Sequence, residues 1–272
     1  LSGVTKVCYK NSVMGSAVLT AHNSYHRFWK TWEQRVDRFF TPTEFARQKY
    51  IQASFDGDKI AVKPNFLTPD PGLSSHRREF ALFVGRLAPE KGVKTLVETW
   101  ANLKTDLPLK IVGSGILDKY VARADKAHAN IHRLGQLPLE EVKDVIGRAK
   151  FLIMPSEWYE TFGRTIMESF SRGTPVIASD LGAMSEIVRE GHNGLKFAPG
   201  DQVELADRIM QLVNDESSRQ RMGQAARQTY LSSYTGAANH EALMQVYQDA
   251  IVKHGNQLGI QYEDKLNSLD GV

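Results

Sequence analysis

The sequence has one cysteine, Cys8, in 272 residues. That excludes an internal disulfide, leaves too few thiols for a thiolate-bound structural zinc, and suits a reducing compartment such as the cytoplasm. Runs of about 18 apolar residues are missing, so no helix is expected to cross a membrane. No cleavable leader pattern is visible either. Histidine offers little for a metal. His22 and His26 are four apart, as are His128 and His132, and neither pair has a further ligand nearby. No metal site is read. A net charge of only +3 carries no nucleic-acid footprint. The charge is uneven, however. Residues 1–65 hold ten Lys/Arg against five Asp/Glu, a surplus of about +5, and the remainder carries about −2. Such a segment suits an anionic lipid surface or a phosphate-bearing acceptor, and equally an ordinary solvated face.

What is present is an alternation of apolar strands and helices. Phe80 to Val84, Leu107 to Val112, Asn130 to Leu134, Phe151 to Met154 and Val176 onward read as strands. Helices are expected at Val93 to Leu103, Ile116 to Lys126, Leu139 to Arg148 and from near Phe162 to Gly173. This order predicts an α/β fold with a doubly wound parallel sheet. Asp201 to Asn214, Glu216 to Leu231 and Ala237 to Lys253 read as three closing helices. Leu67-Thr-Pro-Asp-Pro-Gly72 is the clearest linker. Upstream, Asn11 to Ser16 reads as a turn, Val36 to Phe40 as a strand, Thr43 as a helix N-cap and Asp58 to Val62 as a strand.

The densest chemistry lies between Pro155 and Ser179. A strand stops at Pro155, a polar and aromatic loop follows, and a helix opens near Phe162-Gly163. The first turn of a helix offers unpaired N–H groups and the positive end of its dipole, a seat for phosphate. Glu160 stands just before it and Glu168 inside it. From Gly163 to Glu168 the helix rises roughly 7–8 Å, about the reach from a diphosphate to its ribose. An anion-binding helix end between two carboxylates suits a nucleoside diphosphate-sugar.

A second basic loop supports this. Gly85-Arg86-Leu-Ala-Pro-Glu90-Lys91-Gly92 follows one strand and precedes a helix, so Arg86 and Lys91 should reach the crevice at the carboxyl ends of the strands. A fixed guanidinium and ammonium can stabilise a departing diphosphate without a metal. They could instead pair with Glu90 on a loop surface. Gly113-Ser-Gly115 also follows a strand. It has no third glycine three residues later, so a plain dinucleotide site is disfavoured and a tight turn would explain it. Trp158 and Tyr159 could flank a sugar or pack the loop.

Glu160-x7-Glu168, with Glu-x-Phe-Gly and Gly-Thr-Pro-Val-Ile-Ala-Ser, resembles the signature of the family 4 retaining glycosyltransferases. The resemblance runs from about Val36 to Tyr247 and includes Val-Asp-Arg-Phe and Lys-Pro-Asn-Phe. It implies two Rossmann-like domains facing a cleft. Residues 1–72 would be a remnant of the acceptor-binding domain with its linker, and 73–235 the donor domain. Residues 236–272 would be a helix returning toward the acceptor domain, and a tail expected to fray. On that reading the chain is a fragment. By the same resemblance Arg86, Lys91 and Glu160 carry catalysis. Gly85, Gly113, Gly115, Gln136, Leu137, Phe162, Gly163, Arg164, Thr165 and Glu168 contact the donor. Glu168 would hold the ribose, Glu160 the sugar hydroxyls, and backbone near Gln136 and Leu137 the base. Arg164-Thr165 departs from the aliphatic pair commoner after Phe-Gly. No cofactor beyond the nucleotide-sugar donor is implied, and the acceptor would be a glycan or a lipid-linked sugar. The rivals are an epimerase or phosphorylase on a similar fold and a module that binds nucleotide-sugar without transferring it.

Overall fold

The computed structural model describes residues 2–6, 9, 12–74 and 79–257. Cys8 and the tail beyond residue 257 lie outside the described residues. The chain divides into two compact units. One comprises Leu1–Phe40, Lys49–Ala61 and Met244–Val272; the other comprises Thr41–Gln48 and Val62–Leu243.

The N-terminal elements are α1 (Ser2–Thr5), α2 (Val13–Phe28), α3 (Thr31–Arg35), β1 (Phe39–Thr41), α4 (Glu44–Gln52) and β2 (Ile60–Val62). The turn expected at Asn11 to Ser16 is instead the start of a 16-residue helix. Ser12 is its N-cap, with Oγ accepting from the Gly15 N–H at 3.1 Å. A capping serine and a turn serine look alike in sequence, because both bond the backbone two or three residues on. The strand expected from Val36 begins only at Phe39, since Val36 N–H still bonds the Trp32 carbonyl at the end of α3. Thr43 does cap α4, accepting from the Ala46 N–H at 3.2 Å. The strand expected from Asp58 begins at Ile60. Asp56 accepts from the Asp58 N–H and holds residues 57–59 in a single 3-10 turn.

The second unit continues with β3 (Phe80–Val84), α5 (Val93–Asn102), β4 (Leu109–Val112), α6 (Asp118–Ala127), β5 (Ile131–Gly135) and α7 (Leu139–Arg148). Next come β6 (Ala149–Met154), α8 (Arg164–Ser171), β7 (Val176–Ser179), α9 (Gly182–Ile187) and β8 (Gly194–Phe197). The closing helices are α10 (Gln202–Asn214), α11 (Glu216–Ser233) and α12 (Gly236–Gln257). Six strands form one sheet in the order β5-β4-β3-β6-β7-β8, every neighbouring pair parallel. Alternate residues serve opposite faces. Phe80, Leu82, Leu152 and Val176 pack with Ile146, Phe170 and Tyr230 of α7, α8 and α11. Ala81, Phe83, Phe151 and Ile177 pack with Leu96, Trp100, Val121 and Ile209 of α5, α6 and α10. Helices therefore cover both faces of the sheet. Each fully buried aliphatic or phenyl side chain contributes about 1.5–3 kcal/mol, so this sandwich is a rigid platform for the loops above it.

The strand order places the site. From β3 the chain steps outward to β4 and β5, then β6 returns to the other side of β3. In open parallel sheets, ligands bind beyond the carboxyl ends of the strands where the order reverses. Here those ends lead into the loops 85–92 and 155–163.

Candidate active site at the strand-order switch

The loop after β3 and the loop after β6 are bolted together. The Glu157 N–H donates to the Glu90 carbonyl at 3.0 Å, and Thr95 Oγ1 donates to Glu157 Oε1 at 2.5 Å. Gly92 sits at φ +65°, and a Cβ there would lie 1.8 Å from the Pro155 carbonyl oxygen. Only glycine allows this approach.

Within that frame Lys91 Nζ forms an ion pair with Glu160 Oε1, and both side chains are mostly buried. The same oxygen accepts from Ser156 Oγ at 2.8 Å. Glu160 is thus held from two sides before any ligand arrives. Arg86 reaches Glu90 at 2.6 Å, the loop-surface pairing left open by the sequence, while its side chain stays 66% exposed. A cavity of about 350 Å³ opens beside these groups, lined by Gly85, Arg86, Lys91, Met154, Ser156 and Thr165.

The opening of α8 completes the wall. Gly163 is the N-cap at φ +75°, with no side chain satisfying the first turn. The N–H groups there remain available to an anion. One helical turn further on, the Glu168 side chain is 8% exposed. Among the described residues the partner of its carboxylate is Arg164, with Nε 3.4 Å from Oε1. Burial pushes the Glu168 carboxyl above its ordinary range, and the charges of Arg164 and Lys143 partly oppose this. A buried carboxylate with so thin a set of partners is costly unless further donors reach it.

Other residues expected to contact the donor also have structural partners within the chain. Gly113 and Gly115 are required by backbone packing, because a Cβ would meet the carbonyls of Gly85 and Leu87 at 1.9 and 2.4 Å. They hold the basic loop in position. Gln136 is exposed, and its Oε1 accepts from Ser114 Oγ at 3.3 Å. Leu137 packs against the core. The Phe162 ring is 3% exposed and stands edge-on to Tyr234 at 5.6 Å between centroids, so it anchors the loop from below. Tyr159 leans on Phe45 at 4.9 Å, whereas Trp158 is exposed. His22 and His26 lie side by side on α2, their rings tilted at 60° with centroids 4.3 Å apart. Sequence reasoning missed Ser156 and Thr95, whose only signal is a hydroxyl beside the end of a buried strand or near the start of a helix.

The family model for glycosyl transferases group 1 matches residues 68–229. The chain belongs to that family. The stretch matched by this group 1 model contains both loops and all of the sheet. The chain is 33% identical over 153 residues to an uncharacterised glycosyltransferase of Methanocaldococcus jannaschii, covering 55% of this chain and 42% of that protein. It is 31% identical over 172 residues to a glycogen synthase of Mycobacterium tuberculosis, covering 61% and 41%. It therefore spans about two-fifths of the length of these curated relatives. Among solved structures, HepE of Anabaena in complex with UDP-glucose superposes with a TM-score of 0.70 at 20% identity, covering 78% of this chain and 64% of that one. That likeness shows a shared fold.

Proposed function

We propose that this group 1 chain binds a nucleoside diphosphate-sugar and serves in the retaining transfer of the sugar to an acceptor hydroxyl. The observation that carries the reading is the cavity at the strand-order switch, where Arg86, Lys91 and the mouth of α8 converge. The UDP-glucose bound by HepE is the kind of molecule such a cavity suits.

The chemistry follows from the charges. The bond between the anomeric carbon and the β-phosphate oxygen breaks, and its electron pair leaves on the diphosphate. Arg86, Lys91 and the first-turn N–H groups of α8 stabilise that developing charge. Binding the diphosphate draws Arg86 from Glu90, an exposed pair worth little. Glu160, fixed by Lys91 and Ser156, accepts hydrogen bonds from donor sugar hydroxyls, and Glu168 from the ribose. The acceptor oxygen attacks from the face the diphosphate leaves, and its proton passes to a phosphate oxygen. The configuration is thereby retained. No metal is required on this account, because the two cations and the helix end already supply positive potential.

The acceptor is proposed to be a glycan or lipid-linked sugar. At the end of α2 and just beyond it, Tyr25, Phe28 and Trp29 are exposed beside Arg27 and Lys30, a surface suited to the edge of an anionic bilayer. On this reading the protein works in the cytoplasm at the inner membrane face.

The test is incubation with radiolabelled UDP-, GDP- and ADP-sugars, separating release of free sugar from transfer to added acceptors. Release or transfer with retained anomeric configuration supports the proposal. Inversion would refute the retaining chemistry, and interconversion of the nucleotide-sugars would favour the epimerase.

A further inference from the structure

Arg164 is oddly placed for a residue that merely stabilises its helix. It is the first residue of α8, at the end where the helix dipole is positive and a cation is disfavoured. Its partner Glu168 lies four residues later, the less favourable order for an i,i+4 ion pair. The contact is a single approach through Nε at 3.4 Å rather than a two-pronged fork. Among the described residues no other group engages the guanidinium, whose side chain is 66% exposed. Glu168, by contrast, is buried. Arg164 is therefore easily displaced, while Glu168 needs a partner at all times.

We infer that Arg164 is a phosphate ligand parked on Glu168, exchanged to the donor diphosphate when the ribose hydroxyls take the Glu168 carboxylate. The inference rests on the donor-site reading above and adds a selection rule to it. A bare nucleoside that reaches Glu168 must break the ion pair and gives the guanidinium nothing in return. A nucleoside diphosphate breaks the same pair and offers phosphate oxygens at the mouth of α8, where an anion and a cation together relieve the unfavourable charge placement. Arg164 thus couples occupation of the ribose subsite to the presence of phosphate.

The experiment is calorimetric titration at about pH 8 of the whole chain with three pairs of ligands: UDP and uridine, GDP and guanosine, ADP and adenosine. Wild type, Arg164→Leu and Arg164→Lys are compared, with melting curves as the check on folding. The readout is the ratio of nucleoside to diphosphate dissociation constants for the pair that binds. In Arg164→Leu this ratio should fall about tenfold or more, by weaker diphosphate binding with nucleoside binding unchanged or tighter. Arg164→Lys should restore part of it. An unchanged ratio, or equal weakening of both ligands, overturns the inference while leaving the donor site standing. Wild type that binds neither member of any pair overturns the donor site and the inference with it.

Discussion

Lys91 and Glu160 lie 69 residues apart in sequence and meet as an ion pair between the loop after β3 and the loop after β6. The pair joins the two loops that the strand order sets side by side, and Ser156 holds the same Glu160 oxygen. One residue of the pair is assigned to the departing diphosphate and the other to the sugar.

That division of labour separates the two substitutions. Lys91→Ala should weaken nucleoside diphosphate binding about ten- to a hundredfold, the range of a charge-assisted hydrogen bond worth about 1.5–3 kcal/mol. Glu160→Gln should leave the nucleotide affinity within a few fold and lower turnover. Calorimetry beside a transfer assay checks both. Wild-type affinity in Lys91→Ala, with unchanged melting, would return the residue to a structural role.

Glu168 gives a pH dependence. Its ordinary value is 4.5 and burial raises it in the folded chain. In the window between these two values the folded chain keeps a proton that the unfolded chain has lost. Raising the pH through that window therefore lowers stability. Urea titrations across it should show this slope in wild type and a flatter one in Glu168→Gln. Arg164→Leu should extend the window upward, since the Arg164 charge opposes the shift. Nucleoside diphosphate affinity should rise with pH over the same window, because the carboxylate accepts ribose hydroxyls and the neutral acid does so less well. A wild-type slope in Glu168→Gln would assign the effect to another group.

The fold was legible because buried parallel strands are near-continuous apolar runs closed by glycine or proline. Phe80 to Val84 and Leu139 to Arg148 have the bounds read from the sequence. Asp201, expected to open a helix, is the N-cap of α10. The helix α2 was not legible, since its aromatic and polar residues are mostly exposed and leave no apolar stripe. At the site, the residue types and their loops could be read, but their partners could not. Ile166 to Ser171 are all buried, so helical periodicity cannot tell that Glu168 lies inside with them. Pairings such as Arg86 with Glu90 or Lys91 with Glu160 are decided by the approach of two loops, which no spacing encodes.

Asp70 of the linker receives Arg227 of α11 through both carboxylate oxygens, at 2.7 and 2.6 Å. The hydrogen bonds from Arg227 hold its carboxyl below the ordinary 3.8. This contribution is fully present above that value and is lost as pH falls through the lowered folded value. Arg227→Ala should cost about 1–2 kcal/mol at neutral pH, a modest figure because Asp70 is partly exposed. The difference from wild type should shrink in acid. Urea unfolding at pH 7 and at about pH 3 measures it, and an equal difference at both would assign the cost to the contacts that do not titrate, the Arg227 hydrogen bond to the Ser171 carbonyl and its packing on Tyr230.

The central claim is that Arg86, Lys91 and the mouth of α8 form a metal-independent seat for a nucleoside diphosphate. Calorimetric titration with UDP, GDP and ADP in excess EDTA tests it most directly. The account predicts that at least one binds saturably, with affinity unchanged by EDTA and reduced in Lys91→Ala. Loss of all binding on chelation, or binding indifferent to Lys91, would contradict it.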